Sequence, residues 1–347
     1  MAYSSILKPT DYFNTILWTG DGASTRSITG VGFQPDWIWV KCRSTGHDHY
    51  SWDSVRTNKK GLEPSDTSAE RTPTLGSIDS DGFSFASLDS FYNANSDTYV
   101  GWNWRAGNSS GSSNGDGSIT STVSANTTAG FSIVSYTGTG SAATVGHGLG
   151  AVPKMIIIKN RSSTESWRVY HNELGPTKEI YLDLDSAAGT SSSAFNDTDP
   201  TSSVFSVGTS NATNKSSENL IAYCFAEKQG YSKFGSYTGN GNADGPFIYT
   251  GFRPAWIMIK RTDSSQDWRM FDAVRDPFNS LEKQLKANAN TTESAGTDFL
   301  NFVSNGFKVL VSTASINSDG GFYTYMAFAE HPFVANDSGT AVPVVAR

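Results

Sequence analysis

The sequence predicts an all-β chain of three tandem antiparallel β-sandwich modules, jelly-roll or lectin-like in kind. Three observations predict it: a Pro-led apolar run that occurs three times, a Thr-Gly-x-Gly turn ahead of each run, and an aromatic-rich strand closing each copy. Composition agrees, since charged residues are only 17% of the chain while Gly, Ser, Thr and Asn are abundant, a balance that favours strands and tight turns.

The apolar run from Gly32 to Lys41 (GFQPDWIWVK) returns from Gly150 to Lys159 (GAVPKMIIIK) and from Gly251 to Lys260 (GFRPAWIMIK). Proline cannot donate to a strand ladder, so it marks where each run's strand begins. Met155 to Ile158 is apolar without alternation, which predicts a strand buried on both faces. The opening turns are Thr19-Gly20-Asp21-Gly22, Thr137-Gly138-Thr139-Gly140 and Thr238-Gly239-Asn240-Gly241. The closing strands, Tyr99–Trp104, Leu220–Phe225 and Tyr323–Phe328, carry large side chains at alternate positions, the period of a strand. With the shorter segments between, each copy holds about six to eight strands separated by turn signals, which suits two packed sheets.

These elements divide the chain into an N-terminal arm (1–12), a first module (13–106), a Gly/Ser/Thr linker (107–129), a second module (130–228), a third module (229–334) and a C-terminal tail (335–347). The linker has the composition of flexible coil and predicts that the first module sits apart. The second and third modules, joined by only Glu227 to Tyr231, are expected to pack together.

A net charge of −7 and the lack of a basic patch argue against a nucleic-acid partner. No apolar stretch approaches a bilayer span, and no leader pattern opens the sequence, so membrane insertion is not expected. The two cysteines, Cys42 and Cys224, lie in apolar strands and read as small buried hydrophobes.

Catalytic and cofactor motifs are missing: no nucleophile elbow, no phosphate-binding loop, no His pair at metal-helix spacing. His47 and His49 read as a solvated loop, and His171, standing where the other copies have Asp53 and Asp272, reads as a polar partner at a strand end. Acidic turns such as Asp79 to Gly82 read as turn chemistry rather than a Ca²⁺ loop. The expectation is a non-enzyme without cofactor or metal. Trp37, Trp52, Trp104 and Trp256 recur in the copies and read as core. Tyr50, Phe91, Tyr92, Trp167 and Trp268 lie near turns and are the candidates for an exposed platform that stacks sugar rings.

The repeated skeleton, with Phe-Ala-Glu closing the second and third copies at Phe225-Ala226-Glu227 and Phe328-Ala329-Glu330, resembles a family of repeat-containing virion proteins of tailed, especially marine, bacteriophages. That resemblance covers nearly the whole chain and implies a structural virion component, assembled in the host cytoplasm, present in several copies and free of cofactors. It implies other virion proteins as partners and a homo-oligomer, trimeric or higher. Within it, a tail fibre or other appendage that binds a host-surface glycan is the first reading, and a head-decoration protein the alternative. The first copy departs from the pattern, with His49 for Trp167 and Trp268, and Asn103-Trp104-Arg105 for Phe-Ala-Glu.

Overall fold

The computed structural model describes Ser4 and residues 6–57, 59–332, 334–337 and 340–343. The fold is all-β and antiparallel, and one strand order recurs in its three main sheets. In the first, Phe13–Thr19 pairs with the closing strand Thr98–Trp104, which pairs with Trp37–Cys42 and then Tyr50–Asp53. The order repeats as Phe131–Thr137, Asn219–Phe225, Met155–Asn160 and Arg168–His171. It appears again as Ser232–Thr238, Phe322–Pro332, Phe252–Arg261 and Arg269–Asp272.

Each main sheet is covered on one face by a small sheet. Arg26–Thr29, Gly82–Phe85 and Arg71–Asp79 cover the first, Ala143–Gly146 and Val204–Val207 the second, and Phe247–Tyr249, Gly306–Val309 and Leu300–Val303 the third. Alternation along the strands decides which core each side chain enters. Ile38 and Val40 pack under the first small sheet with Phe83 and Phe85, whereas Trp37 and Trp39 point the other way. Ile156 and Ile158 face the second small sheet and Met155 and Ile157 turn away; Ile257 and Ile259, and Trp256 and Met258, divide likewise.

The side chains that turn away meet in one central cluster drawn from all three modules. Trp37 stacks on Tyr223 with centroids 4.3 Å apart, Trp104 meets Trp256 edge-on at 5.7 Å, and Phe225 lies 6.0 Å from Phe328. The Pro-led strands are therefore buried on both faces, as their unbroken apolar runs predict.

Two expectations about the joins are corrected by this arrangement. The first module does not sit apart, because its tryptophans are part of the common core. Residues 107–129 are not a coil linker: Ser112–Asn114 and Ser121–Asn126 are strands that extend the second main sheet beside Phe131–Thr137. Alternation in Ser121-Thr122-Val123-Ser124-Ala125 outweighs the polar composition, since Val123 enters the second module's core. The described part of the N-terminal arm packs on the body, with Ile6 in the central cluster. Towards the C-terminus, Val334–Asp337, from the end of the third module into the tail, pairs with Thr340–Pro343; residues 338, 339 and 344–347, like 1–3 and 5, lie outside the described residues.

Candidate functional site

The residues that recur in the three copies are used at the boundaries between modules, and their contacts run in one cyclic sense. The lysine ending each apolar run is buried and donates to a carbonyl of its neighbour. Lys159 Nζ of the second module reaches Thr67 O of the first at 2.8 Å, Lys41 of the first reaches Asn290 O of the third at 3.2 Å, and Lys260 of the third reaches Asp185 O of the second at 2.7 Å. Each also binds a carbonyl six residues along its own chain, that of His47, Glu165 or Gln266. Burial pulls all three ammonium groups down to about 8.

A ring N–H repeats the pattern. Trp167 Nε1 donates to Glu63 O at 2.9 Å, Trp268 Nε1 to Tyr181 O at 2.7 Å, and His49 Nε2 lies 2.9 Å from Lys286 O. Trp39 Nε1 donates to His49 Nδ1, which leaves Nε2 as the protonated, donating nitrogen. Burial holds His49 well below its ordinary value, so it is a neutral stand-in for the tryptophans.

Two boundaries add a buried polar chain. From the second module to the first it runs Tyr223 to Asp53 (2.7 Å), Asp53 to Arg56 (2.6 Å), Arg56 to Glu70 (3.7 Å) and Glu70 to Arg161 (2.9 Å). From the first to the third, Trp102 meets Asp272 at 3.1 Å, Arg275 binds both Asp272 and Glu293, and Arg43 grips Glu293 with two N–H groups. Burial works against the Arg56 cation, but the Asp53 carboxylate beside it lifts the guanidinium above its ordinary value. At the third boundary the same positions hold Met326, His171, Leu174, Ala188 and Thr262, and the charges are gone; the backbone bond Ala188 N to Thr262 O remains, matching Glu70 N to Arg161 O and Glu293 N to Arg43 O.

The expected sugar platform is corrected by the same contacts. Tyr50, Tyr92 and Trp167 are fully buried and Trp268 is 1% exposed, while Phe91 is half-buried against Tyr50. Trp167 and Trp268 do lie near turns, but each turn is covered by the neighbouring module. His49 is buried too, not part of a solvated loop. Trp37, Trp52, Trp104 and Trp256 are core as predicted, and Cys42 and Cys224 are buried free thiols.

A cleft of about 380 Å³ opens to solvent at the side of the third module. One wall is Lys233 to Tyr237, from the terminal strand of the third main sheet; the other is Phe247–Tyr249 of the small sheet, and Glu173 of the second module stands at the rim. Strand alternation places Phe247 and Tyr249 outward, 48% and 59% exposed, and Ile248 inward. The equivalent residues, aligned through the pairs Ile28 with Phe83, Val145 with Phe205 and Ile248 with Phe307, are Ser27 and Thr29 in the first module and Thr144 and Gly146 in the second. The exposed aromatics thus belong to one copy alone, which separates them from the repeated core residues. Glu173 accepts from the Ser236 hydroxyl at 2.9 Å and the Asn172 amide at 2.8 Å, and Lys233 pairs with Glu227 at 2.8 Å. Sequence reading missed this pair because Phe247-Ile248-Tyr249 has the look of an ordinary strand; its mismatch with the other two copies was the available signal.

Among the described residues no group of three or more His, Cys, Asp or Glu side chains is placed to hold a metal ion, and no helix is long and apolar enough to cross a membrane. The chain matches, over residues 8–332, the model of a family described as a domain of unknown function, DUF7483. No curated protein and no solved structure matches it.

Proposed function

The chain belongs to the DUF7483 family, and on that premise we propose that it is a non-enzymatic structural protein of a tailed-bacteriophage virion, a tail fibre or other appendage. The observation that carries this reading is the use made of the repeated residues. The recurring lysine, ring donor and core aromatics are all spent on locking three modules into one body. A chain whose repetition serves cohesion is a building block, and the repeated skeleton resembles that of phage virion proteins. In the particle it works as a homo-oligomer, trimeric or higher, in contact with other virion proteins, and the contact with host-surface glycan falls to exposed residues that do not recur.

Immunogold labelling of purified particles tests the reading. Label at the tail or its appendages supports it; label spread over the head replaces it with capsid decoration, and a chain missing from purified particles overturns both.

A further inference from the structure

We propose that the cleft between Ser232–Thr238 and Phe247–Tyr249 is a strand-acceptor site, which takes an extended segment of another polypeptide as an added antiparallel strand. The inference goes beyond the particle role and does not depend on it. Its template lies in the same chain. In the second module the equivalent strand, Phe131–Thr137, is not terminal: Ser121–Asn126 pairs along it, with Thr122 opposite Ser135 and Ser124 opposite Ile133. The approach to that strand bridges Ile119 to Val145, and Ile119 and Val123 drop into the module's core. This architecture therefore accepts a strand at that edge and gains apolar burial by doing so.

In the third module the same edge is open. Ser232–Thr238 ends its sheet; Ser232 N bonds Lys228 O at 2.9 Å and Phe234 N reaches the Glu227 carboxylate at 3.5 Å, so the edge left for pairing lies towards Ser236 and Thr238. The chain cannot fill the space as it does in the second module, because only residues 226–231 connect Phe225 to Ser232, whereas residues 105–130 precede Phe131. Where the filled groove has Thr144 and Gly146, the open one has Phe247 and Tyr249, whose exposed rings would cover an incoming strand. The rings of Tyr237 and Tyr325 and the Ile248 side chain lie beneath the cleft, buried in the third module's core. Glu173 stands by Ser236, its carboxylate accepting from the Ser236 hydroxyl and the Asn172 amide, so a basic residue opposite Ser236 completes the fit.

The test titrates the intact chain with a synthetic peptide of residues 117–127, the occupant of the second groove, and with a version carrying Lys in place of Thr122, which the register sets opposite Ser236. Hydrogen exchange and calorimetry are the readouts. The expected result is saturable binding, tighter for the lysine peptide, with protection confined to residues 232–238. Ser236→Pro, which removes an edge N–H, and Tyr249→Ser, on an exposed ring, should each weaken binding by about tenfold or more without altering the thermal transition. The proposal is overturned if neither peptide binds at millimolar concentration, if protection falls elsewhere, or if soluble oligosaccharides and not peptides bind in a Tyr249-dependent way.

Discussion

The Tyr223 hydroxyl donates to Asp53 Oδ2 at 2.7 Å across the boundary between the second and first modules, and the Trp102 indole does the same for Asp272 at the next boundary. Met326 holds the corresponding place at the third and has no proton to give; opposite it the carboxylate is replaced by His171, whose Nε2 lies 3.2 Å from Tyr325 O. Donor and acceptor have changed together. An unpaired buried carboxylate is costly, so a boundary that loses its donor is stable only if it also loses the charge.

Tyr223→Phe should destabilise the fold by about 1–3 kcal/mol, because it strips a hydrogen bond from a buried carboxylate that keeps its other partner, Arg56. Asp53→Ala should cost more, about 3–5 kcal/mol, by leaving the buried Arg56 cation with only the Glu70 carboxylate, 3.7 Å away. Denaturant unfolding measures both, and equal losses would show that the chain is not the electrostatic unit described.

His171→Asp tests the third boundary from the opposite side. It creates a buried carboxylate facing Met326, with Leu174 where the other modules have arginine, and should cost about 3 kcal/mol or more. Adding Leu174→Arg and Met326→Trp should recover part of the loss. A single variant as stable as the parent would refute the coupling.

Strand positions and the triplication were legible because period-two alternation and turn chemistry are local. The destination of the aromatics was not. Trp167 and Trp268 sit at turns and carry the look of exposed rings, but what buries them is a neighbouring module's backbone at Glu63 and Tyr181, which no local pattern encodes. A signal was present all the same: a lysine ends an apolar strand in every copy, at 41, 159 and 260, and a repeated charge in a core strand requires a repeated partner. Ser121–Asn126 was misread for the opposite reason, polar composition masking a short alternation.

Protonation separates the two kinds of boundary group. Burial draws His171 down to about 4, so between its ordinary value of 6.5 and that point the unfolded chain binds more protons than the folded one. Stability should therefore fall as pH drops from 6.5 towards 4, and His171→Asn should flatten that part of the profile. A parallel profile for the variant, followed by thermal melts across this range, would remove His171 as its source.

The three buried lysines predict a dependence of the same sign in a separate window at high pH. Their folded values near 8 lie below the ordinary 10.5, so below pH 8 both states hold the proton and the difference is constant. Between 8 and 10.5 the unfolded chain retains protons the folded chain has released, and stability contributed by these groups rises with pH. Buried tyrosines such as Tyr223 and Tyr237 oppose the trend from about pH 10, since burial raises their folded values and the unfolded phenols ionise first. The window to measure is thus pH 8 to 10. Lys159→Met removes one ammonium together with its bonds to Thr67 O and Glu165 O, leaving two partly buried carbonyls to find other donors. The variant should be less stable than the parent at neutral pH, by about 1–3 kcal/mol, and its stability should climb less steeply between pH 8 and 10. Unchanged steepness would mean that Lys159 keeps its charge throughout, held by the carbonyls it bridges.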